Sequence, residues 1–161
     1  MNHDELVRRA ERWLYGTMRM QVVIAEPAGA CVHEIPDVIG WNSRHSVLVE
    51  CKATRGDFLR DRRKWFRSKP EAGMGDMRWF FAPPGLIKIE ELPEGWGLAE
   101  VRGKQVRKVK RACMFTFFRR CNKLSEITLL VKEVGDLRRG LMGKPLRPDR
   151  PIVLPDDVAV F

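Results

Sequence analysis

Two acidic side chains and a lysine in this chain have the types and spacing that could support chemistry. Twelve residues separate Asp37 from Glu50, and Lys52 follows Glu50 with Cys51 between them. Residues 46–52 form a short apolar run that ends in two opposite charges, and such a run is typical of a buried strand. In a strand, Glu50 and Lys52 share one face about 7 Å apart. Because charges there are costly to bury without partners, we regard all three as candidate catalytic residues.

This group of side chains suits a hard divalent cation. The carboxylates of Asp37 and Glu50, with the backbone carbonyl oxygen of Cys51, are ligands that Mg²⁺ (or Mn²⁺) accepts while it keeps several waters. Such a metal activates water and shields phosphate charge. Lys52 would orient or help to deprotonate the water, or stabilise charge on the phosphate oxygens. The alternative is a buried ion pair between Glu50 and Lys52 in an ordinary sheet, with Asp37 as a turn residue.

The residues before and within this group predict the elements that position it. Pro36 cannot donate to a strand ladder, so it indicates an edge, a strand start or a bulge that aims Asp37. Apolar residues at helical spacing predict a first helix, and three short β-rich runs predict an antiparallel meander over 21–52. The predicted helix covers 3–20, and the predicted strands cover 21–25, 30–35 with its continuation to 40, and 46–52.

The rest of the chain predicts further strands and two more helices. Asp57 is the predicted N-cap of a strongly basic helix, and the last helix has an apolar stripe. The helices are predicted over 57–66 and 123–139, and the strands over 76–82, 96–101 and a basic stretch at 103–111. This mixture predicts an α/β (or α+β) domain with a mixed sheet over 1–140. The Pro- and Gly-rich residues 141–161 predict an irregular tail.

Composition and charge favour a globular protein with a polyanionic partner. The hydrophobic fraction is 44%, and the formal net charge is +9. The positive charge is clustered, which favours DNA, with RNA as a further option; the alternative is charge that only maintains solubility. No apolar run approaches the ~20 residues of a membrane span, and the polar N-terminus does not resemble a signal peptide. The four cysteines lack CxxC spacing, so we expect free thiols in a cytoplasmic protein and no zinc site.

Several motifs resemble those of a known family. Pro36-Asp37 and Glu50-Cys51-Lys52 are similar to the signature of the PD-(D/E)XK nuclease superfamily. Residues 49–65, Val-Glu-Cys-Lys-Ala-Thr-Arg-Gly-Asp-Phe-Leu-Arg-Asp-Arg-Arg-Lys-Trp, resemble the MmcB-like branch, which is associated with DNA repair, and small nucleases of phage and prophage genomes. The resemblance covers roughly residues 20–101. It includes the Gly-Met-Gly loop at 73–75, the aromatic strand at 78–81, and the segments at 84–87 and 92–98.

The resemblance implies a restriction-endonuclease-like core, a central mixed sheet flanked by helices with the site at one end of a hairpin. It makes Asp37 and Glu50 metal ligands and Lys52 the catalytic lysine. An acid from the first helix often completes such sites. Glu11 is our first candidate because it lies nearer to the strands than Glu5. The alternatives are Glu5, Glu26 and Glu34.

The implied activity is metal-dependent hydrolysis of DNA phosphodiester bonds in recombination, repair or phage DNA processing, in a bacterial or phage-infected cell. The alternative is a nucleic-acid-binding module on a nuclease fold that does not cut and works with a partner. The intact acids and lysine favour the nuclease. An enzyme that cuts DNA junctions symmetrically needs two sites, so a homodimer is one expectation.

The basic residues after Lys52 form the predicted DNA-binding surface, because they could guide phosphates towards the site. For Arg55, Asp57 and Asp61, helix capping and ion pairing are the alternative to DNA contact. The residues predicted to contact DNA are Arg55, Arg60, Arg63, Lys64, Arg67 and Lys69.

Overall fold

One mixed β-sheet organises the fold of this computed structural model, which describes residues 1–27, 34–67, 69–113 and 121–142. Within them, six strands lie side by side in chain order, with β1 and β6 at the edges. Pairs β1–β2, β2–β3 and β5–β6 are antiparallel, whereas β3–β4 and β4–β5 are parallel. The strands are β1 (Val22–Ala25), β2 (Val38–Trp41), β3 (Ser46–Cys51), β4 (Met77–Ala82), β5 (Gly97–Arg102) and β6 (Gln105–Lys110).

This topology confirms the predicted α/β fold with a mixed sheet, and it confirms the antiparallel arrangement of the first strands. The strand predicted over 30–35 falls mostly on residues 28–33, which lie outside the described part of the chain; residues 34 and 35 are not in a strand. Residues 143–161 of the predicted tail also lie outside the described part of the chain.

Helix α1 (His3–Gly16) covers one face of the sheet. Its N-cap is Asn2, whose side chain accepts a 2.9 Å hydrogen bond from the backbone N–H of Glu5. Its apolar stripe, which includes Leu6 and Trp13, packs with the side chains of β3 and β4 that point to this face. The helix ends before the predicted position 20 because the chain turns, with Arg19 at a positive φ of 57°.

Alternation along β3 sends its charged residue to the opposite face. Val47, Val49 and Cys51 pack towards α1. Leu48 packs with Phe58 of helix α2 (Arg55–Asp61) on the other face of the sheet. Glu50, two residues after Leu48, therefore points to the α2 side.

Helix α2 is shorter than the helix predicted over 57–66. Its N-cap is Thr54 and not Asp57: the Thr54 hydroxyl accepts from the backbone N–H of Asp57 and donates to its carboxylate. After Asp61 the chain turns and forms a 3₁₀ turn at Trp65–Arg67. This turn places Phe66 and the Arg67 side chain in the interior, so burial and ion pairing override the local preference for a continuous helix.

Helix α3 (Lys123–Met142) confirms the predicted last helix, but most of its predicted apolar face points outward. Leu129 is buried, and Glu126 attaches the first turns to the sheet by accepting hydrogen bonds from Trp41, Ser46 and Gly75. The exposed apolar residues are Leu124, Ile127, Val131, Val134 and Leu137. In the described residues, no helix combines the length and the apolar character that crossing a membrane requires.

Candidate active site

Asp37 is fixed at the point where β2 begins and β3 ends. Val38 at the start of β2 pairs with Val49 of β3. The Asp37 carboxylate then accepts a 2.6 Å hydrogen bond from the backbone N–H of Cys51. The side chain of Asp37 is 21% exposed, so a ligand from solution can reach it.

Lys52 lies between the two candidate acids. Its Nζ donates to Glu50 Oε2 at 2.7 Å and lies 4.0 Å from Asp37 Oδ2. Its backbone N–H continues the parallel ladder by donating to the carbonyl oxygen of Phe81 at 2.8 Å. The structure thus brings Asp37, Glu50 and Lys52 together at the end of β3, as the spacing predicted, whereas their catalytic roles stay predictions.

Arg67 joins this group to two further carboxylates. Its guanidinium lies 3.0 Å from Glu50 Oε1, 2.8 Å from Asp61 Oδ2 and 2.5 Å from Glu34 Oε1. Asp61 also contacts Lys52, with 3.2 Å between Asp61 Oδ1 and Lys52 Nζ. The Arg67 side chain is only 3% exposed, and its guanidinium stacks 4.5 Å from the Trp96 ring centroid. Desolvated charges of this kind are stable only when they are paired.

The sequence reasoning missed the network that Arg67 forms with Glu34 and Asp61. One available signal was Asp61 itself, which lies three residues after Phe58 and therefore on the buried face of α2. An acid on a buried helical face needs a cation nearby. The local sequence could not identify the cation that pairs with Asp61, because Arg67 reaches Glu34 and Glu50 only through tertiary folding.

The pKa values of Glu50 and Lys52 follow from this pairing. Burial alone would raise the pKa of Glu50, but Arg67 and Lys52 outweigh it and lower the pKa below its usual value. Burial alone would lower the pKa of Lys52, but the carboxylates of Glu50 and Asp61 outweigh it and raise the pKa. At neutral pH Glu50 is therefore a carboxylate and Lys52 an ammonium. Of the roles considered for Lys52, proton abstraction is disfavoured and charge stabilisation is favoured.

Asp37 differs from Glu50 because its charge is poorly compensated. Burial and the nearby charge of Glu50 raise its pKa to about 6, although Lys52 and the Cys51 N–H act in the opposite direction. Lys52 Nζ lies 4.0 Å from Asp37 Oδ2, and His3 Nε2 lies 3.7 Å from Asp37 Oδ1. A cation bound beside Asp37 would therefore stabilise its ionised carboxylate.

The α1 residue beside Asp37 lies at the start of the helix. His3 Nε2 lies 3.7 Å from Asp37 Oδ1 and 3.6 Å from Glu26 Oε1. Glu11 is eight residues after His3, or about 12 Å further along the helix axis. This placement speaks against Glu11 as the completing acid, and Glu5 likewise has no ion pair with the site in the described residues. Of the alternatives, Glu26 lies beside Asp37.

Most of the predicted DNA-contact residues are already paired with acids. Arg55 pairs with Glu91, Arg60 with Asp57, and Lys64 with Asp61. Arg67 is buried, so its position does not support the expected phosphate contact. Arg63 and Lys69 are exposed and have no ion pair among the described residues. Arg55 and Asp61 form ion pairs, and Asp57 takes part in the N-terminal cap of α2, so these contacts explain where the three side chains lie.

The two carboxylates at this end of β3 are ligands of the type that a hard divalent cation binds. Asp37 is a partly accessible carboxylate with a raised pKa, and Glu50 supplies a second carboxylate nearby. Across the described residues, no group of three or more His, Cys, Asp or Glu side chains is arranged to hold a metal. A metal held by Asp37 and Glu50 would therefore complete its coordination with water and the Cys51 carbonyl, as Mg²⁺ commonly does. The described cysteines Cys51, Cys113 and Cys121 are free.

The fold and site define an α/β protein with a mixed sheet and an acid–lysine cluster at the end of its central hairpin. No family model and no curated protein matches the chain. The solved structure of the SPO1766 protein of unknown function from Silicibacter pomeroyi is similar, with a TM-score of 0.58 and 19% sequence identity. The similarity covers 93% of this chain and 99% of that one. It supports the fold alone.

Proposed function

We propose that this protein is a metal-dependent nuclease that hydrolyses DNA phosphodiester bonds in recombination, repair or phage DNA processing, in the cytoplasm of a bacterial or phage-infected cell. The observation that carries the proposal is the position of Lys52, whose Nζ is 2.7 Å from Glu50 and 4.0 Å from Asp37. Two carboxylates and an ammonium are groups that can support phosphodiester hydrolysis, and Asp37 is the partly accessible member of the three.

Each of these groups has a defined part in the proposed reaction. Asp37 and Glu50 would hold Mg²⁺ or Mn²⁺, which when bound supplies an activated water and shields the phosphate charge. The ammonium of Lys52 stabilises the negative charge that develops on the phosphate oxygens. Arg67 is a positioning residue, because it holds the Glu50 carboxylate at 3.0 Å from inside the protein.

The test is cleavage of a labelled DNA panel with Mg²⁺, Mn²⁺ or EDTA. The panel contains a single strand, a duplex, a flap and a four-way junction. We expect metal-dependent cutting that Asp37→Asn, Glu50→Ala and Lys52→Ala abolish while DNA binding persists. Asp37→Asn keeps an oxygen that can accept from the Cys51 N–H, so it removes the charge without removing the anchor.

A matched control for Asp37→Asn exists at the other end of β3. Asp76 accepts a 2.8 Å hydrogen bond from the backbone N–H of Ser46 and lies far along the strand from Lys52. We expect Asp76→Asn to cut DNA at close to the wild-type rate. Wild-type cutting by Lys52→Ala, or equal losses in the two Asn variants, would exclude the assigned site.

A second candidate function is a nucleic-acid-binding module that does not cut. It is favoured by one observation, that Lys52 and Arg67 already neutralise both oxygens of Glu50. Binding of the DNA panel without cutting in either metal would support this module and direct attention to an activating partner.

A further inference from the structure

A basic groove lies on the sheet face opposite α2, between α1 and the β5–β6 hairpin. Its main cavity has a volume of about 530 Å³ and is lined by Arg9, Arg12, Lys104 and Lys108, with Trp13 at its base. An adjoining cavity of about 340 Å³ shares Lys108 and adds Arg111. We call these two cavities together the α1–β6 groove.

Among the described residues, the cations of the α1–β6 groove have no acidic partners. No carboxylate from this part of the chain lines either cavity. Within the described residues, none of the five cations has a carboxylate at ion-pair distance, in contrast to Arg55, Arg60 and Lys64 on the α2 side. Arg9 and Arg12 are three residues apart on one helix face, where like charges repel and destabilise the helix. An anion in the groove would remove this repulsion.

The fold explains how these cations converge. In β6, Val106 and Lys108 point to the α1 face, and Val106 packs against the core there. The Lys108 ammonium lies 5.4 Å from the Trp13 ring centroid and 5.9 Å from that of Trp79. Trp13 and Trp79 are buried, so the cations lie against an apolar wall of low dielectric constant. Concave surfaces of one charge with such walls concentrate the electric field.

We propose that the α1–β6 groove binds the phosphodiester backbone of a nucleic acid. The choice of nucleic acid as the polyanion rests on the proposed function, whereas the anion site rests on the groove itself. Helix α1 connects it to the candidate active site, because its first residue, His3, lies beside Asp37. Arg9 and Arg12 follow His3 by about 9 and 14 Å along the helix axis. A strand lying along α1 therefore passes from the groove to Asp37.

Protection of the sheet edge does not account for the whole groove. Lysines on an exposed edge strand such as β6 discourage association with other strands. This role covers Lys108, but it does not require Arg9 and Arg12 to face the same cavity from a helix.

The test compares two triple variants that each remove three positive charges. The groove variant is Arg12→Gln/Lys104→Gln/Lys108→Gln. The matched control is Arg44→Gln/Lys88→Gln/Arg138→Gln, which removes three exposed cations that lie outside the groove and have no ion pair among the described residues. Fluorescence anisotropy with labelled duplex and single-stranded DNA, in EDTA to prevent cutting, gives the affinity over a series of NaCl concentrations.

We expect the groove variant to bind more weakly and with a flatter salt dependence than wild type. Each lost phosphate contact should reduce the slope of log K against log[salt] by about 0.9 for duplex and about 0.7 for single-stranded DNA. The control should keep the wild-type slope. Lys104→Gln alone changes an exposed hairpin residue, so it should fold normally and still reduce the slope by about one contact.

The outcomes separate this proposal from the proposed function. An unchanged slope in Lys104→Gln and in a folded groove variant would overturn the groove, even if wild type cuts DNA. A flatter salt dependence in the control alone would overturn it in favour of a binding surface outside the groove. Lack of DNA binding by wild type would also overturn it. Groove-dependent binding by a protein that cuts nothing with Mg²⁺ or Mn²⁺ would support the groove and contradict the nuclease.

Discussion

The Asp37 carboxylate accepts a 2.6 Å hydrogen bond from the backbone N–H of Cys51, so the residue before β2 is tied to the last residue of β3. This bond holds Asp37 close to Glu50, and the proximity of two acids has a cost. Together with burial, the charge of Glu50 raises the pKa of Asp37 to about 6. The hydrogen bond that builds the candidate site therefore maintains a carboxylate that is destabilised at neutral pH.

The first prediction concerns pH and stability. Because the folded-state pKa of Asp37 is about 6 and the ordinary value is 3.8, the folded protein retains a proton that the unfolded chain has lost between these values. Stability from this residue therefore falls as pH rises through this window and stays low above it. Without metal, Asp37→Asn should be more stable than wild type by about 1–3 kcal/mol above pH 7.

Urea denaturation of both proteins in EDTA at about pH 4, 5, 6 and 8 measures this difference. The first three pH values cover the range in which the proton is lost, and the last lies above it. The advantage of Asp37→Asn should grow up to about pH 6 and then level off. Asp76→Asn is the control: the pKa of Asp76 is lowered, because its bonds to Lys123 and Ser46 outweigh burial, so its loss should not stabilise the protein. A pH-independent difference for Asp37→Asn would contradict the assigned pKa.

The second prediction concerns Arg67, which pairs with Glu34, Glu50 and Asp61 inside the protein. Arg67→Gln leaves three carboxylates without their shared cation and should cost about 3–5 kcal/mol in the free energy of unfolding. Arg67→Lys should also be destabilising, because an ammonium cannot replace the planar guanidinium that contacts all three acids. Urea denaturation at neutral pH measures both.

Arg60→Gln is the control for Arg67, since Arg60 pairs with Asp57 on the exposed surface. Exposed ion pairs contribute little, so this variant should be nearly as stable as wild type. A stable Arg67→Gln protein with weakened DNA binding would instead support the sequence-based prediction that Arg67 contacts DNA.

The sequence predicted the strand that bears Glu50 and Lys52 because alternation and the terminal charges are local properties. For Asp37 it left an edge, a strand start or a bulge open, because Pro36 is compatible with each, and the structure shows a strand start, with β2 beginning at Val38. It did not predict the turn after Asp61, because the helical preference of 57–66 is local whereas the burial of Arg67 depends on acids from distant segments. The same distinction explains α3, whose apolar stripe predicted the helix but not the face that packs.

The third prediction concerns the residue that completes the site. His3 and Glu26 lie beside Asp37, whereas Glu11 lies further along α1. Charges near a reacting phosphate affect the rate strongly, and distant ones do so weakly. His3→Gln and Glu26→Gln should therefore reduce single-turnover cutting of DNA by about tenfold or more, whereas Glu11→Gln should cut like wild type. The opposite ranking would contradict this assignment and favour Glu11 as the completing acid.

The last prediction concerns competition between Lys52 and a metal for Glu50. The Lys52 ammonium is 2.7 Å from Glu50 Oε2, which is an oxygen that the cation would bind. Lys52→Ala removes this competitor and leaves Glu50, Asp37 and Asp61 with less positive charge nearby, so it should destabilise the metal-free protein by about 3 kcal/mol. Mg²⁺ or Mn²⁺ should then raise the melting temperature of Lys52→Ala more than that of wild type, because a ligand that binds the folded state more tightly stabilises it more. Lys88→Ala, at an exposed position, should show the wild-type metal response. A smaller metal response in Lys52→Ala than in wild type would mean that the cation does not bind at Glu50, and the acid–lysine cluster would then be a structural ion-pair network.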